Sequence, residues 1–339
     1  MISYFKNKLN PSGYQGKNSH AQQHFEGWYF KIVDKHERHI FAIIPGIYRS
    51  RNASDSYTFI QIFDGHRNET YFHTFPIHDF HTEPYQFNIQ IGKNQFSANE
   101  LVIDIQTTSF NMKGQLTFNS LTPWPGSLVS PGIMGWYTWV PFMECYHGIV
   151  SLDHHIQGIL DLNGQKLDFT NGKGYIEKDW GQSFPDAWVW CQSNHFNSSH
   201  TCVTGSIAII PWIRRPFLGY IFGLWHDQRL YRFTTYTGAQ LEHFEITDSC
   251  VEWVLYQKNY RLEINGRRTD GGFLHAPTIN GMTHRISESL QSSLEVRLSC
   301  LKGSTWTPLF HNVGRHAGFE VAGNIDRLVT MYQQKKSKI

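Results

Sequence analysis

Two carboxylates, a lysine and a row of indoles and amides crowd into residues 174–196 of this 339-residue chain. The charged triplet Glu177-Lys178-Asp179 sits between Tyr175 and Trp180. On a strand, Tyr175, Glu177 and Asp179 share one face while Lys178 points to the other, because successive side chains alternate across a sheet. Two carboxyls on one face repel each other's charge, which favours keeping a proton on one of them, as a proton donor needs. A structural ion pair between Lys178 and Asp179 is the alternative. Further along, Trp188, Trp190, Gln192 and Asn194 alternate and also share a face. Indole N–H groups and amides need partners, so this row suits the wall of a site for a bulky, partly polar ligand. An aromatic sheet face packed on another sheet is the alternative.

The elements that must hold these residues read as strands. Hydrophobic residues make up 40% of the chain, aromatics 15% and charged residues only 17%, a balance that favours β structure over coiled coil or disorder. Short alternating runs recur at 26–33, 39–45, 57–63, 69–74, 85–91, 101–107 and 112–119, then at 158–162, 166–170, 201–210, 218–225, 230–237, 241–247, 251–257, 260–264 and 294–300. Asp64-Gly65, Asn163-Gly164, Asn265-Gly266 and Asp270-Gly271-Gly272 supply turn signals. No amphipathic helix longer than two or three turns stands out. The fold class is therefore all-β. This many short strands exceed one small barrel, so two barrel-like halves are expected, residues 1–183 and 184–339, with the break where Gly and Pro interrupt the pattern near Gly181 to Asp186. Leu121 to Pro141, rich in Pro, Gly and Trp, reads as a long loop able to fold over a barrel mouth.

Several function classes drop out. The formal net charge of +2 gives no nucleic-acid footprint, and the basic run Lys335-Lys336-Ser337-Lys338 reads as a frayed, solvated tail. Five widely spaced cysteines without a Cys-x-x-Cys argue against a disulfide framework or zinc ribbon and for reduced thiols in a cytoplasmic protein. The N-terminus lacks a signal-peptide core, and the apolar runs 206–213 and 217–225 are too short to span a bilayer. Nineteen histidines are many, yet none has zinc-ligand spacing, so solvent-facing or hydrogen-bonding roles are expected and no metal site. No dinucleotide, phosphate-loop or serine-hydrolase motif is present, and no cofactor is expected.

The motifs resemble those of the tocopherol cyclase family. Phe25-Glu26-Gly27-Trp28-Tyr29-Phe30-Lys31 is similar to its opening motif, and Gly174-Tyr175-Ile176-Glu177-Lys178-Asp179-Trp180-Gly181 with Ser183-Phe184-Pro185 and Trp188-x-Trp190-x-Gln192-x-Asn194 to its central one. Trp124-Pro125 with Pro141-Phe142-Met143 resembles a middle segment, and His316-Ala317-Gly318-Phe319-Glu320 a terminal one. The likeness runs from about residue 10 to 330. It implies a lipocalin-like double β-barrel, related in architecture to AttH and the carotenoid hydratases, and closure of a prenylated quinol to a chromanol.

Such closure protonates a trisubstituted alkene, and the phenolic oxygen then captures the tertiary cation. It needs an acid, a water-poor pocket and groups that stabilise positive charge. Asp179 is the first candidate acid and Glu26 the second, with Lys178 counted in the catalytic set; for Glu26 a salt bridge or a backbone hydrogen bond is the alternative. Trp28, Trp180, Trp188 and Trp190 are expected cation-stabilising walls, each worth roughly 0.5–2 kcal/mol, or else core packing. Gln192 and Asn194 would bind the quinol oxygens or satisfy a turn, and Tyr29 and Tyr175 join the substrate-binding set. Two other functions compete: a non-catalytic carrier of an apolar small molecule, and an alkene hydratase delivering water to the same cation. An apolar small molecule is the expected partner, and peripheral membrane contact is compatible with it.

Overall fold

A computed structural model describes residues 8–16, 23–83, 86–141, 143–278 and 281–337, without the side chains of residues 284 and 285. Tyr85, Phe142 and Lys338, used in the sequence reading, lie outside these residues. Among the described residues the regular structure is nearly all strand, arranged in two sheets. The first comprises β1 (His24–Val33), β2 (Ile40–Arg49), β3 (Tyr57–Asp64), β4 (Glu69–Pro76), β5 (Phe80–Thr82), β6 (Asn88–Ile91), β7 (Asn94–Ser97), β8 (Glu100–Gln106), β9 (Asn111–Asn119), β10 (Cys145–Leu162), β11 (Gln165–Asp168) and β12 (Gly172–Gly181). The second comprises β13 (Ala187–Ser193), β14 (Cys202–Ile210), β15 (Phe217–His226), β16 (Arg229–Thr234), β17 (Gln240–Ile246), β18 (Cys250–Gln257), β19 (Tyr260–Arg267), β20 (Gly272–Thr278), β21 (Gly281–Lys302) and β22 (Thr305–Gly323).

In the first sheet the order runs β4-β3-β2-β1-β12-β10-β9-β8-β7-β6-β5, with β11 beside β10. The two motif strands β1 and β12 are therefore antiparallel neighbours, with Glu26 opposite Trp180 and Trp28 opposite Lys178. The second order runs β16-β15-β14-β13-β22-β21-β19-β18-β17, with β20 beside β21. The chain divides into two compact units, Met1–Phe184 with Leu274–Arg285, and Pro185–Phe273 with Ile286–Ile339. Trp28, Phe30, Ile32, Ile62 and Ile176 belong to the buried core of the first unit. Val189, Cys191, Phe222, Trp253 and Leu294 belong to that of the second.

Alternation of apolar and polar residues explains most strands, and three features depart from expectation. Strand β10 begins at Cys145, well before residue 158, because two register shifts bend it and break its alternation; β21 and β22 are likewise 22 and 19 residues long. Asn265-Gly266 is not a turn but part of β19. A Cβ at Gly266 would lie 2.3 Å from the Phe319 ring, so glycine is there for packing. Lys335 and Lys336 are not a frayed tail but the last turn of helix α1 (Ile325–Lys336), whose first turn carries Asp326 and is capped by Asn324 Oδ1 accepting the Arg327 N–H at 3.2 Å. Leu328 and Tyr332 bury the helix on the second unit's sheet, and the Lys335 ammonium lies 5.0 Å from the Tyr220 ring centre.

Residues 121–141 hold no strand and form the long irregular loop the composition implied. It is anchored by buried Trp124, Ile133 and Met134, while Leu128 and Val129 are 74% and 76% exposed. All five cysteines are free thiols. Among the described residues no helix is long and apolar enough to cross a membrane.

Candidate active site

Strand alternation splits the candidate residues of the first unit between two faces. On the core face of β1 and β12 lie Glu26, Trp28, Lys178 and Trp180. The Lys178 ammonium is fully buried, 2.5 Å from Glu26 Oε1, and donates to the carbonyls of Pro11 at 3.0 Å and Gly13 at 2.5 Å. It sits 4.7 Å and 4.6 Å from the Trp28 and Trp180 ring centres. Glu26 also accepts the N–H groups of Gln15 and Gly16 and lies 3.0 Å from His24 Nε2. Burial alone would raise the Glu26 pKa, but the Lys178 charge and the His24 hydrogen bond outweigh it and hold the carboxyl below its ordinary value. Burial pulls Lys178 down to about 8, with Glu26 opposing. An ion-paired carboxylate with this many donors is a poor acid. Lys178 thus pairs with Glu26 rather than Asp179, and the cation resting on Trp28 and Trp180 is Lys178 itself.

The opposite face of the same strands carries a second polar group. Tyr175 donates its hydroxyl to Glu177 Oε2 at 2.5 Å. His147, from β10 and opposite Asp179 in register, lies with Nδ1 2.9 Å from Asp179 Oδ1 and Nε2 3.7 Å from Glu177 Oε2. The Nδ1 contact has hydrogen-bond length, whereas Nε2 stands too far from Glu177 for a direct hydrogen bond, so the imidazole is paired with Asp179 and faces Glu177 across a gap. A ring that takes a proton on one nitrogen can release one from the other. Glu177 is 6% exposed at its side chain but Asp179 is 26%, so Asp179 is the more accessible carboxyl of the two. Tyr29 and Lys31, on the same face of β1, are buried. The sequence reading missed His147 because its partners stand 30 and 32 residues away and meet it only through the β10–β12 register.

The loop 121–141 is tied to this group: Met134 Sδ accepts the His147 backbone N–H at 3.0 Å, and the Tyr146 hydroxyl donates to the Val140 carbonyl. In the second unit, Val189 and Cys191 take the core face of β13 while Trp188, Trp190 and Gln192 take the other, with Asn194 just beyond the strand. All four are buried. Trp188 Nε1 donates to Glu320 Oε2 at 2.6 Å, and Gln192 Nε2 to Cys202 Sγ at 3.6 Å. Histidines were expected to face solvent or to hydrogen-bond; His154 is buried with Nδ1 3.1 Å from the Ser151 hydroxyl oxygen, and burial and neighbouring His155 push its pKa down to about 3, so its ring stays neutral.

The family profile described as tocopherol cyclase-like matches residues 106–323, more than half of the chain. The chain belongs to the tocopherol cyclase-like family. Over 204 residues it is 26% identical to a tocopherol cyclase, chloroplastic, of Zea mays, covering 56% of this chain and 41% of that protein. Over 180 residues it is 25% identical to a "Probable tocopherol cyclase, chloroplastic" of Oryza sativa subsp. japonica, covering 48% of this chain and 36% of that protein. The chain thus spans well under half the length of the curated relatives it matches. Among solved structures, a candidate AttH from Nitrosomonas europaea superposes with a TM-score of 0.51 at 12% identity over 93% of this chain and 95% of that one. CghA with Sch210972 gives 0.50 at 11% identity over 89% of each chain. At these identities the likeness is one of fold.

Proposed function

We propose that this member of the family is an intramolecular cyclase that closes a prenylated quinol to a chromanol by protonating its alkene. The observation that carries the reading is the imidazole of His147 held between Asp179 and Glu177, on the face opposite the structural Glu26–Lys178 pair. Asp179, in its acid form, gives its proton to the less substituted alkene carbon. The tertiary cation forms on the other carbon, and the phenolic oxygen closes the ring onto it. The phenolic proton returns through His147 to the Asp179 carboxylate, so the enzyme is regenerated and nothing is oxidised or reduced. Glu177, fixed by the Tyr175 hydroxyl, faces the far ring nitrogen at 3.7 Å and supplies negative charge as the cation develops. Orientation of the oxygen over the alkene supplies much of the remaining acceleration. The two compact units are taken to be lipocalin-like domains, each sheet closing into a barrel. The bends in β10, β21 and β22 support closure. Five free thiols suit a reducing, cytoplasmic setting.

Incubation of the purified chain with a prenylated benzoquinol tests the reading. The expected product is a chromanol of unchanged mass. A product heavier by one water would make the protein a hydratase, and recovery of bound, unaltered quinol would make it a carrier.

The same reading extends to where the substrate is met. No charged residue occurs between Lys113 and Glu144, a run of thirty residues in a chain that is 17% charged. At its tip, Ser127 and Ser130 exchange backbone hydrogen bonds at 2.8 and 3.1 Å, so the turn that presents Leu128 and Val129 satisfies much of its own backbone polarity. Trp136, 46% exposed, stacks on Tyr137 at 4.1 Å, the aromatic pairing that suits a membrane interface. This loop is proposed to dip into the bilayer that holds a prenylated quinol. A fully buried aliphatic side chain is worth about 1.5–3 kcal/mol. The double change Leu128→Glu and Val129→Glu should therefore weaken flotation with phosphatidylcholine vesicles at least ~10-fold. Equal flotation of the variant and the parent chain would remove this loop from the account.

A further inference from the structure

The second unit carries a histidine–carboxylate group that the proposed chemistry does not use. Strand β17 stands at the end of the second sheet's order and pairs with β18. Its register shifts between Leu241 and His243. Without that bulge, alternation would turn residues 241, 243 and 245 to one face. With it, Leu241 and Phe244 both reach the core, and His243 and Glu245 are turned outward. Glu245 then stands directly opposite Glu252 of β18. Like charges at directly opposed positions on a sheet face repel, so the placement favours a cation between them.

The distances say which kind of cation. A single nitrogen, His243 Nε2, lies 3.5 Å from Glu245 Oε2 and 3.5 Å from Glu252 Oε2. That is long for a hydrogen bond, which prefers about 2.7–3.2 Å. It is close to the roughly 3.3 Å edge of a tetrahedron with zinc–nitrogen and zinc–oxygen bonds of about 2.0–2.1 Å. The other oxygen of Glu252 accepts a hydrogen bond from Asn265 Nδ2 at 2.8 Å, the outer-shell support a ligating carboxylate commonly has. A second histidine–carboxylate group, His147 with Glu177 and Asp179, also brings one ligand atom from each residue within 4.8 Å of the others, but there the two carboxylates lie nearest different ring nitrogens.

We propose that His243, Glu245 and Glu252 form a zinc(II) site, with one imidazole, two carboxylates and an open fourth position for water. The site lies wholly on strands of the second unit and does not depend on the cyclase reading. The test uses the full chain, stripped with a chelator and dialysed against zinc(II) alone, with bound metal counted per chain. The parent chain should bind one more zinc than His243→Ala or Glu252→Gln, whichever other histidines bind metal weakly. Asn265→Ala should keep the site but weaken it about 10–100-fold, as loss of an outer-shell partner does. Circular dichroism of the four proteins should coincide, since none of these side chains is buried. Equal zinc uptake by the parent and both ligand variants, or none by the parent chain, would overturn the proposal.

Discussion

Asp179→Asn should leave the chain folded and abolish turnover. The amide is nearly isosteric and still meets His147 Nδ1, which lies 2.9 Å from the native carboxylate, so the local hydrogen bonding has a substitute. It cannot supply a proton, and loss of a general acid costs on the order of 10²–10⁴ in rate. The Lys178–Asp179 ion pair that the structural alternative needs is not there to break, because Lys178 is committed to Glu26. Melting temperature and turnover on a prenylated quinol, measured together, check this. A melting temperature near that of the parent with activity gone is the expected result. Activity retained within tenfold would take Asp179 out of the acid role.

Glu26→Gln should do the reverse, removing stability before anything else. It leaves the Lys178 ammonium buried without its counter-charge and turns an amide N–H₂ toward the N–H groups of Gln15 or Gly16 or the ammonium itself. Removing one partner of a buried pair costs about 3–5 kcal/mol, and replacing both with apolar groups recovers much of it. Urea denaturation of Glu26→Gln and of the double variant Glu26→Leu, Lys178→Met reads both halves of that statement. A loss below about 1 kcal/mol in the single variant would mean that water reaches the pair. The pH dependence follows from the same geometry. The folded-state pKa of Glu26 is depressed, so its contribution is complete above the unfolded value of 4.5 and is lost as pH falls through the folded value. Lys178 titrates near 8 when folded against 10.5 unfolded, so between these values the unfolded chain binds more protons and stability rises with pH.

Alternation along one strand is visible in a sequence, and it yielded the shared face of Tyr175, Glu177 and Asp179. It also separated Lys178 from that face, which argues against the Lys178–Asp179 pair. What alternation does not carry is the identity of the neighbouring strand. His147 and Glu26 reach their partners through pairing of β12 with β10 and β1, and no local spacing encodes either register. Bulges hide strands for a related reason. Each one resets the phase of the pattern, so β10 lost its first half to the reading and His243 gave no sign that it would meet Glu252. The Asn265-Gly266 pair failed because glycine serves two needs, a turn or a close approach, and here the Phe319 ring required the second. Helix α1 was legible in principle: Asn324, Asp326 and the terminal lysines are its caps in the expected order, but a short basic stretch reads equally well as a solvated tail.

As a cyclase of the proposed kind, the protein would place a solvent-derived proton on an alkene carbon and close a ring with the neighbouring phenol. Reaction in deuterium oxide, followed by mass and magnetic resonance analysis of the product, tests it directly. The expected product is a chromanol carrying one deuterium on the ring carbon beside the newly oxygenated one, formed by the parent chain and not by Asp179→Asn. A chromanol without deuterium at that carbon, or equal formation by the variant, would contradict it.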